Sequence, residues 1–407
     1  MNISLVFLVA GIIIMTGFFG IFFFDKTKIP DVLLLMGIGI LLGPVSGLID
    51  PSGLRHFTEY FGTLALIVIL FEGGMDMDID RLLKEFGIAS FLVVVSFTLS
   101  TIAIASYLHL VQQWELLRSI LLGTILGCTS AAIVIPIVGK MDVKDETKTL
   151  LSVESALSDV LAVVISITLI EIITLGTIGI RTPFRTVASS FSTAIIGGAV
   201  AGVFWLKVLD YLKDKRYSYM FTLAAVLITY GVLDFLGGSG SIAVLVFGII
   251  LGNSHSFSKI LNISDDSLVE STIKFFHGEM TFFIRTFFFV YLGLIISFSD
   301  LNFQFFLVSG ALFLIIIVAR YLSVMVTVKT FSEKRGDRFF LFSMMPRGLA
   351  SAVLAILPVS ANVTDSEKFI DITFAVIILT NILMTFGVFF SDKVTQRTSV
   401  PLSEQDK

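Results

Sequence analysis

Apolar runs of about 17 to 25 residues recur down the whole 407-residue chain, and their length restricts the fold more than any single motif does. Hydrocarbon offers no water to unpaired backbone N–H and C=O groups, so a run of that length satisfies itself only as a helix. A membrane barrel would need segments of about ten residues with alternating polarity, and these are absent. Hydrophobic residues make up 56% of the chain and charged residues 15%, with a mean hydropathy of +0.96, which excludes an ordinary soluble domain. Nothing suggests a nucleic-acid surface. The expected fold is therefore an all-α polytopic membrane protein in a lipid bilayer. Thirteen transmembrane helices are predicted, at about 3–24, 29–48, 57–74, 86–108, 116–138, 149–175, 185–211, 218–235, 238–253, 277–297, 303–328, 338–358 and 368–391. The first run has no basic segment before it and reads as a retained span, not a cleaved signal. The single cysteine, Cys128, excludes an internal disulfide.

Lysine and arginine fall mostly on one side of this topology. Lys26, Lys28, Arg81, Lys84, Lys140, Lys144, Lys148, Lys213, Lys215, Arg216, Lys329 and Lys393 are among them, whereas Arg55, Arg181, Arg185 and Lys368 fall on the other side. The positive-inside rule then places the N-terminus outside and the C-terminus in the cytoplasm. Two spans are interrupted: the fifth by Gly123, Gly127, Thr129, Ser130 and Pro136, the twelfth by Pro346, Gly348 and Pro358. Proline removes a helix hydrogen bond, and backbone freed at membrane depth is tolerated only where it is buried or lines a cavity. The breaks lie seven spans apart, as expected if spans 1–6 (about 1–175) and 8–13 (about 218–391) are inverted repeats joined by span 7 (about 185–211). Residues 1–391 thus read as one membrane transporter domain and residues 392–407 as a short cytoplasmic tail.

Charge inside such a chain is costly, roughly 2.5 to 3.5 kcal/mol for a carboxylate on insertion scales, and by default marks an ion or proton path. The run SVESALSDVLAVV, residues 152–164, holds Glu154 and Asp159. Five residues apart, they point about 140° away from each other and are expected to do different jobs. Asp159 is the expected ion site: proton and cation each remove its charge, so they compete, and exchange of one for the other follows if only the neutralised form lets the protein move. A dehydrated monovalent cation needs further oxygen ligands, for which Ser155, Ser158, Thr129, Ser130 and freed carbonyls are candidates. Glu154 is expected to pair with Arg320, a structural ion pair between the halves, because a buried arginine stays charged. Arg347 is expected to brace the unwound chain or set the field near Asp159. Glu72, at the cytoplasmic end of the third span, reads either as a guard or ligand at the inner mouth or equally as an acid snorkelling to the interface. Arg285 is expected against Asp234 or Glu279, and His277 reads as a polar group at the interface. SKILNISDDSLVEST, residues 258–272, is expected to form an amphipathic cytoplasmic helix.

FEGG at 71–74, TSAAIVIP at 129–136, ESALSD at 154–159, FFFVYLG at 287–293, ARYLSV at 319–324 and PRGLASA at 346–352 together resemble the monovalent cation/proton antiporter superfamily, and most of all its NhaP-type sodium/proton antiporters. The resemblance covers essentially the whole membrane region. It implies an NhaA-like antiporter fold and a homodimer in a prokaryotic plasma membrane. It further implies elevator movement of a six-helix core, and Na⁺ or K⁺ binding by Asp159, Ser155, Glu72 and backbone near Thr129. No cofactor and no enzymatic activity are implied; the transported species are a monovalent cation and H⁺. Two departures stand out. Ser158 occupies the place usual for Asn or Asp, and Ser130 the place of an acid. With one fewer carboxylate, one cation per proton is expected. Sodium exchange, with Li⁺ as a further substrate, is the leading reading and K⁺/H⁺ exchange the alternative. A passive cation channel is disfavoured because no filter-like repeat is present.

Overall fold

The computed structural model describes residues 3–27, 29–49, 58–77, 79–141, 143–175, 181–212, 218–255, 267–296, 303–331 and 338–398. Fifteen α-helices are numbered here among the described residues: α1 Ile3–Thr27, α2 Asp31–Ile40, α3 Thr58–Asp76, α4 Ile79–Leu110, α5 Leu116–Ile125, α6 Ala131–Lys140, α7 Asp145–Leu175, α8 Arg181–Leu212, α9 Ser218–Phe235, α10 Gly240–Gly252, α11 Ser267–Ile295, α12 Phe303–Thr330, α13 Arg338–Ser343, α14 Leu349–Ser360 and α15 Glu367–Thr398. Six of them are by themselves long and apolar enough to cross a membrane. A five-residue π turn, Leu41–Val45, holding Pro44, continues α2.

The helices pack as two bundles. One contains α1, α2, α3, α8, α9, α10 and α11; the other contains α4 to α7 and α12 to α15. They meet chiefly where α14 lies against α3 and where α7 lies against α8. Small residues let backbones approach closely, the usual means of helix association where lipid is as apolar as the side chains. On α2 and α11 the contact is backbone on backbone, since a Cβ on Gly293 would come within 2.9 Å of both Gly39 Cα and Ile40 N.

Both interruptions occur, but their positions differ in detail from the sequence expectation. The first falls at residues 126–130, between α5 and α6; Gly123 lies inside α5 and Pro136 inside α6. The second falls at residues 344–348, between α13 and α14; Pro346 and Gly348 belong to it, whereas Pro358 sits inside α14. A proline beyond the first turn removes one ladder bond without forcing the chain to unwind, so proline alone did not locate the breaks. The tenth predicted span begins earlier than expected, as part of α11 from Ser267. Of the expected amphipathic segment, residues 258–266 lie outside the described residues, and residues 267–272 form the start of α11 instead.

The close approach of α2 and α11 has a measurable consequence. Overpacking a helix contact costs about 1–3 kcal/mol. Gly293→Leu is expected to lower the melting temperature of the detergent-solubilised protein, whereas Gly310→Leu on α12, where a Cβ meets nothing within 4 Å, leaves it unchanged.

Candidate functional site

The two unwound stretches run against each other. Ser130 N donates to Pro346 O at 2.9 Å, Arg347 Nε donates to Leu126 O at 2.7 Å, and Cys128 Sγ lies 3.3 Å from Ser351 Oγ. Breaking a helix leaves carbonyls at the end of one half and amides at the start of the next, and each must find a partner. At the end of α5, Arg347 takes the carbonyl of Leu126. At the end of α13, Arg320 takes two: Nε and Nη2 donate to Leu341 O at 3.1 and 2.9 Å, and Nη2 also to Met344 O at 2.8 Å. Each broken helix therefore ends on a guanidinium, the charge its C-terminal dipole favours.

α7 supplies the remaining partners. Ser158 Oγ accepts from Thr129 N at 3.0 Å and lies within donating distance of Thr129 O and Ser155 O. Asp159 Oδ2 accepts from Ala131 N at 3.0 Å, so it is this carboxylate that caps α6. Ser130, at the N-cap position where its own hydroxyl would normally serve, makes no side-chain cap bond. Ser130 Oγ and Asp159 Oδ1 are both buried with no hydrogen-bond partner among the described residues.

Glu154 and Arg320 meet in the core of the second bundle: Arg320 Nη1 donates to Glu154 Oε1 at 2.9 Å and Nη2 to Oε2 at 3.4 Å, with side chains 2% and 1% exposed. Thr129 Oγ1 donates to the same Oε1 at 3.2 Å. A desolvated pair is tolerated because nearly every remaining donor and acceptor is met: the other guanidinium hydrogens go to the α13 carbonyls.

A cavity of about 670 Å³ lies between the bundles. Its wall from the first bundle carries Glu72, Asp76, Thr281 and Arg285; its wall from the second carries Lys148, Ser152, Asp159 and Ser130. Of the candidate ligands, the structure thus brings Asp159, Ser130 and Glu72 to one space. It does not bring Ser155, Ser158 and Thr129 to that wall. Ser155 Oγ donates back to Ser152 O at 3.1 Å, and the hydroxyl residues of α7 that line the cavity are Thr149 and Ser152.

Two expectations are corrected. Arg285 pairs with Asp31, Nη2 to Oδ2 at 2.8 Å, and not with Asp234 or Glu279. His277 is fully buried, edge-on to Phe71 with ring centroids 4.6 Å apart, and not interfacial. The sequence reading also missed Thr380 and Asn381. Thr380 Oγ1 accepts from Arg347 N at 3.1 Å and Asn381 Nδ2 donates to Arg347 O at 2.8 Å, which holds the second break in place. The signal was an adjacent polar pair within the apolar run AVIILTNILM.

Two discontinuous helices whose unwound stretches contact each other, with a carboxylate beside them at the wall of an interbundle cavity, define a class of polytopic helical membrane protein. The chain matches the family model described as "Sodium/hydrogen exchanger, transmembrane" over residues 11–391, and so it belongs to that family of membrane transporters, which are not enzymes. It is 28% identical over 87% of its length to a protein of Shewanella sp. (strain ANA-3) named "K(+)/H(+) antiporter NhaP2", and 27% identical over 95% of its length to "K(+)/H(+) antiporter NhaP" of Alkalimonas amylolytica. The chain covers 61% and 66% of those relatives' own lengths. It is also 27% identical over 82% of its length to "Probable Na(+)/H(+) antiporter 2" of Methanocaldococcus jannaschii, of which it covers 79%. The structure of the sodium proton antiporter MjNhaP1 from the same organism shares the fold, with a TM-score of 0.77 at 22% identity and 98% of each chain covered.

Removing one member of a buried ion pair leaves an uncompensated charge and costs about 3–5 kcal/mol. Glu154→Gln and Arg320→Gln are each expected to lower thermal stability in detergent by that order. Arg320→Lys is expected to do so too, because an ammonium cannot reach Glu154 and the carbonyls of Leu341 and Met344 together.

Proposed function

We propose that the chain is a secondary active antiporter exchanging Na⁺, with Li⁺ as a further substrate, for H⁺, one for one, by competition at Asp159. The observation that carries this reading is the state of that carboxylate: one oxygen is engaged by Ala131 N, the other has no partner among the described residues, and the group lines a cavity. A carboxylate oxygen in such a place is stabilised by a proton or by a small cation, and by both only at the cost of surplus charge. Ser130 Oγ and Glu72 are the further oxygens on the cavity wall that a cation can draw on. Ser155, Ser158 and backbone at Thr129 would join the ligand set after a modest rearrangement of the break.

Alternating access would come from the second bundle, which carries Asp159 and both breaks, sliding against the first in the manner of an elevator. In support, the bundles touch over few helices and the cavity lies at their boundary. The Glu154–Arg320 pair and the bracing by Arg347 lie wholly inside the second bundle, as a body that moves as a unit requires. The proposed topology has thirteen spans in two inverted six-span repeats about α8, with the N-terminus outside. The cavity mouth near Asp76 and Lys148 then faces the cytoplasm of a prokaryotic plasma membrane. A homodimer would form through the first bundle.

K⁺/H⁺ exchange is the second reading. It is favoured by the names of the Shewanella and Alkalimonas relatives and by serines, not acids or an amide, at 130 and 158, of which Ser130 lies on the cavity wall, since weaker ligands suit the larger, more easily dehydrated ion.

In proteoliposomes under an imposed pH gradient, adding the transported cation is expected to dequench a pH-sensitive dye, and Asp159→Asn to abolish the response. Flux persisting in that variant would reject the site. Comparing Na⁺, Li⁺ and K⁺ separates the two readings, and a response unaltered by clamping the membrane potential would establish electroneutral exchange. The apparent KM for the cation is expected to rise as pH falls on the same side, because protons compete for the same oxygen.

A further inference from the structure

A fixed positive charge on the wall of a space that admits cations is unfavourable for binding them, yet Arg285 projects from α11 onto that wall. A guanidinium keeps its charge at any physiological pH. Its Nη2 lies 2.8 Å from Asp31 Oδ2, and the two side chains are 19% and 15% exposed. Asp31 is the first residue of α2, and its Oδ1 accepts from Val32 N at 3.0 Å, so both of its oxygens are engaged. Asp31 is not itself among the residues lining the cavity. The charged lining residues are Glu72, Asp76 and Asp159 against Arg285 and Lys148, the latter 3.7 Å from the fully exposed Asp145, a formal surplus of a single negative charge. Cancelling Arg285 doubles that surplus.

We infer that Asp31, by neutralising Arg285 on the static wall, sets the affinity of the cavity for its cation. The inference rests on the antiport reading above. Neither residue ligates the ion. Asp31 does not reach the cavity, and Arg285 repels what enters it, so both act through the potential at Asp159 and Glu72. The two residues therefore pull in opposite directions, which a pair serving only to join α2 to α11 would not do. A unit charge acting across a hydrated cavity shifts affinity by roughly tenfold, equivalent to about 1.4 kcal/mol.

The test is the cation KM of Asp31→Asn, Arg285→Gln and the double variant in reconstituted vesicles. Asp31→Asn is expected to raise KM about tenfold with kcat little changed. Arg285→Gln is expected to lower KM, and the double variant to return within about twofold of the wild type. If both single variants move KM the same way, or lose kcat without recovery in the double variant, the pair is structural and the inference fails. If Asp31→Asn does not assemble, Arg285→Lys against Arg285→Gln decides: only loss of the charge should lower KM, and equal KM values overturn the proposal. Coupled flux in the wild type with no shift in any variant removes this inference alone. No coupled flux in the wild type with Na⁺, Li⁺ or K⁺ removes the antiport reading and this inference with it.

Discussion

A helix that stops inside a bilayer strands carbonyls and amides where no water can reach them, and the structure of the second bundle depends on how those groups are satisfied. Two arginines and one aspartate do most of this. Arg320 and Arg347 hold the carbonyl ends of the broken helices, and Asp159 holds the amide end of α6. The signs match the helix dipoles, positive groups at C-terminal ends and a negative group at an N-terminal end. Charge that would be prohibitive in isolation is thereby made part of the backbone hydrogen-bond network.

This arrangement divides the carboxylates of α7 by environment. Glu154 is enclosed, accepting from Arg320 and Thr129, and has no lone pair facing the cavity. Asp159, little more than one turn further on, keeps one buried oxygen without a hydrogen-bond partner among the described residues and belongs to the lining of the interbundle cavity. Two acids five residues apart on a single helix thus differ in surroundings because the helix turns one into packed protein and the other toward the bundle boundary. Ser158 lies between them, and its hydroxyl ties Thr129 to α7, so the break and the carboxylate cannot shift independently.

The cavity joins surfaces from both bundles, and this matters for the proposed exchange. A site whose ligands came from one bundle would travel with that bundle unchanged. Here Glu72 and Arg285 belong to one wall and Asp159 to the other, so the proposed sliding would change the set of charges around a bound ion. Under that proposal binding strength and position would be linked by Coulomb's law, with no need for a separate signal between them.

The apolar run lengths were enough to determine an all-helical membrane protein, because backbone in lipid has no other way to satisfy itself. The two interrupted spans and the Glu154–Arg320 partnership were also readable, since glycine and proline at membrane depth and unmatched intramembrane charges each demand an explanation that few partners can supply. Tertiary structure decided the rest. Of the prolines that pointed to breaks, Pro346 lies in one but Pro136 and Pro358 lie inside helices; the chain unwinds where a neighbouring helix offers side chains to replace the lost ladder, at Thr129 and at Arg347. Helical spacing put Ser155 on the face of Asp159, yet its hydroxyl bonds to its own helix and Ser152 takes the cavity wall. Asp31 and Asn381 were unremarkable in sequence, being polar residues at a helix start and within a long apolar run. Their partners lie 254 and 34 residues away, and contacts across that separation arise from how helices cross, which local pattern does not encode.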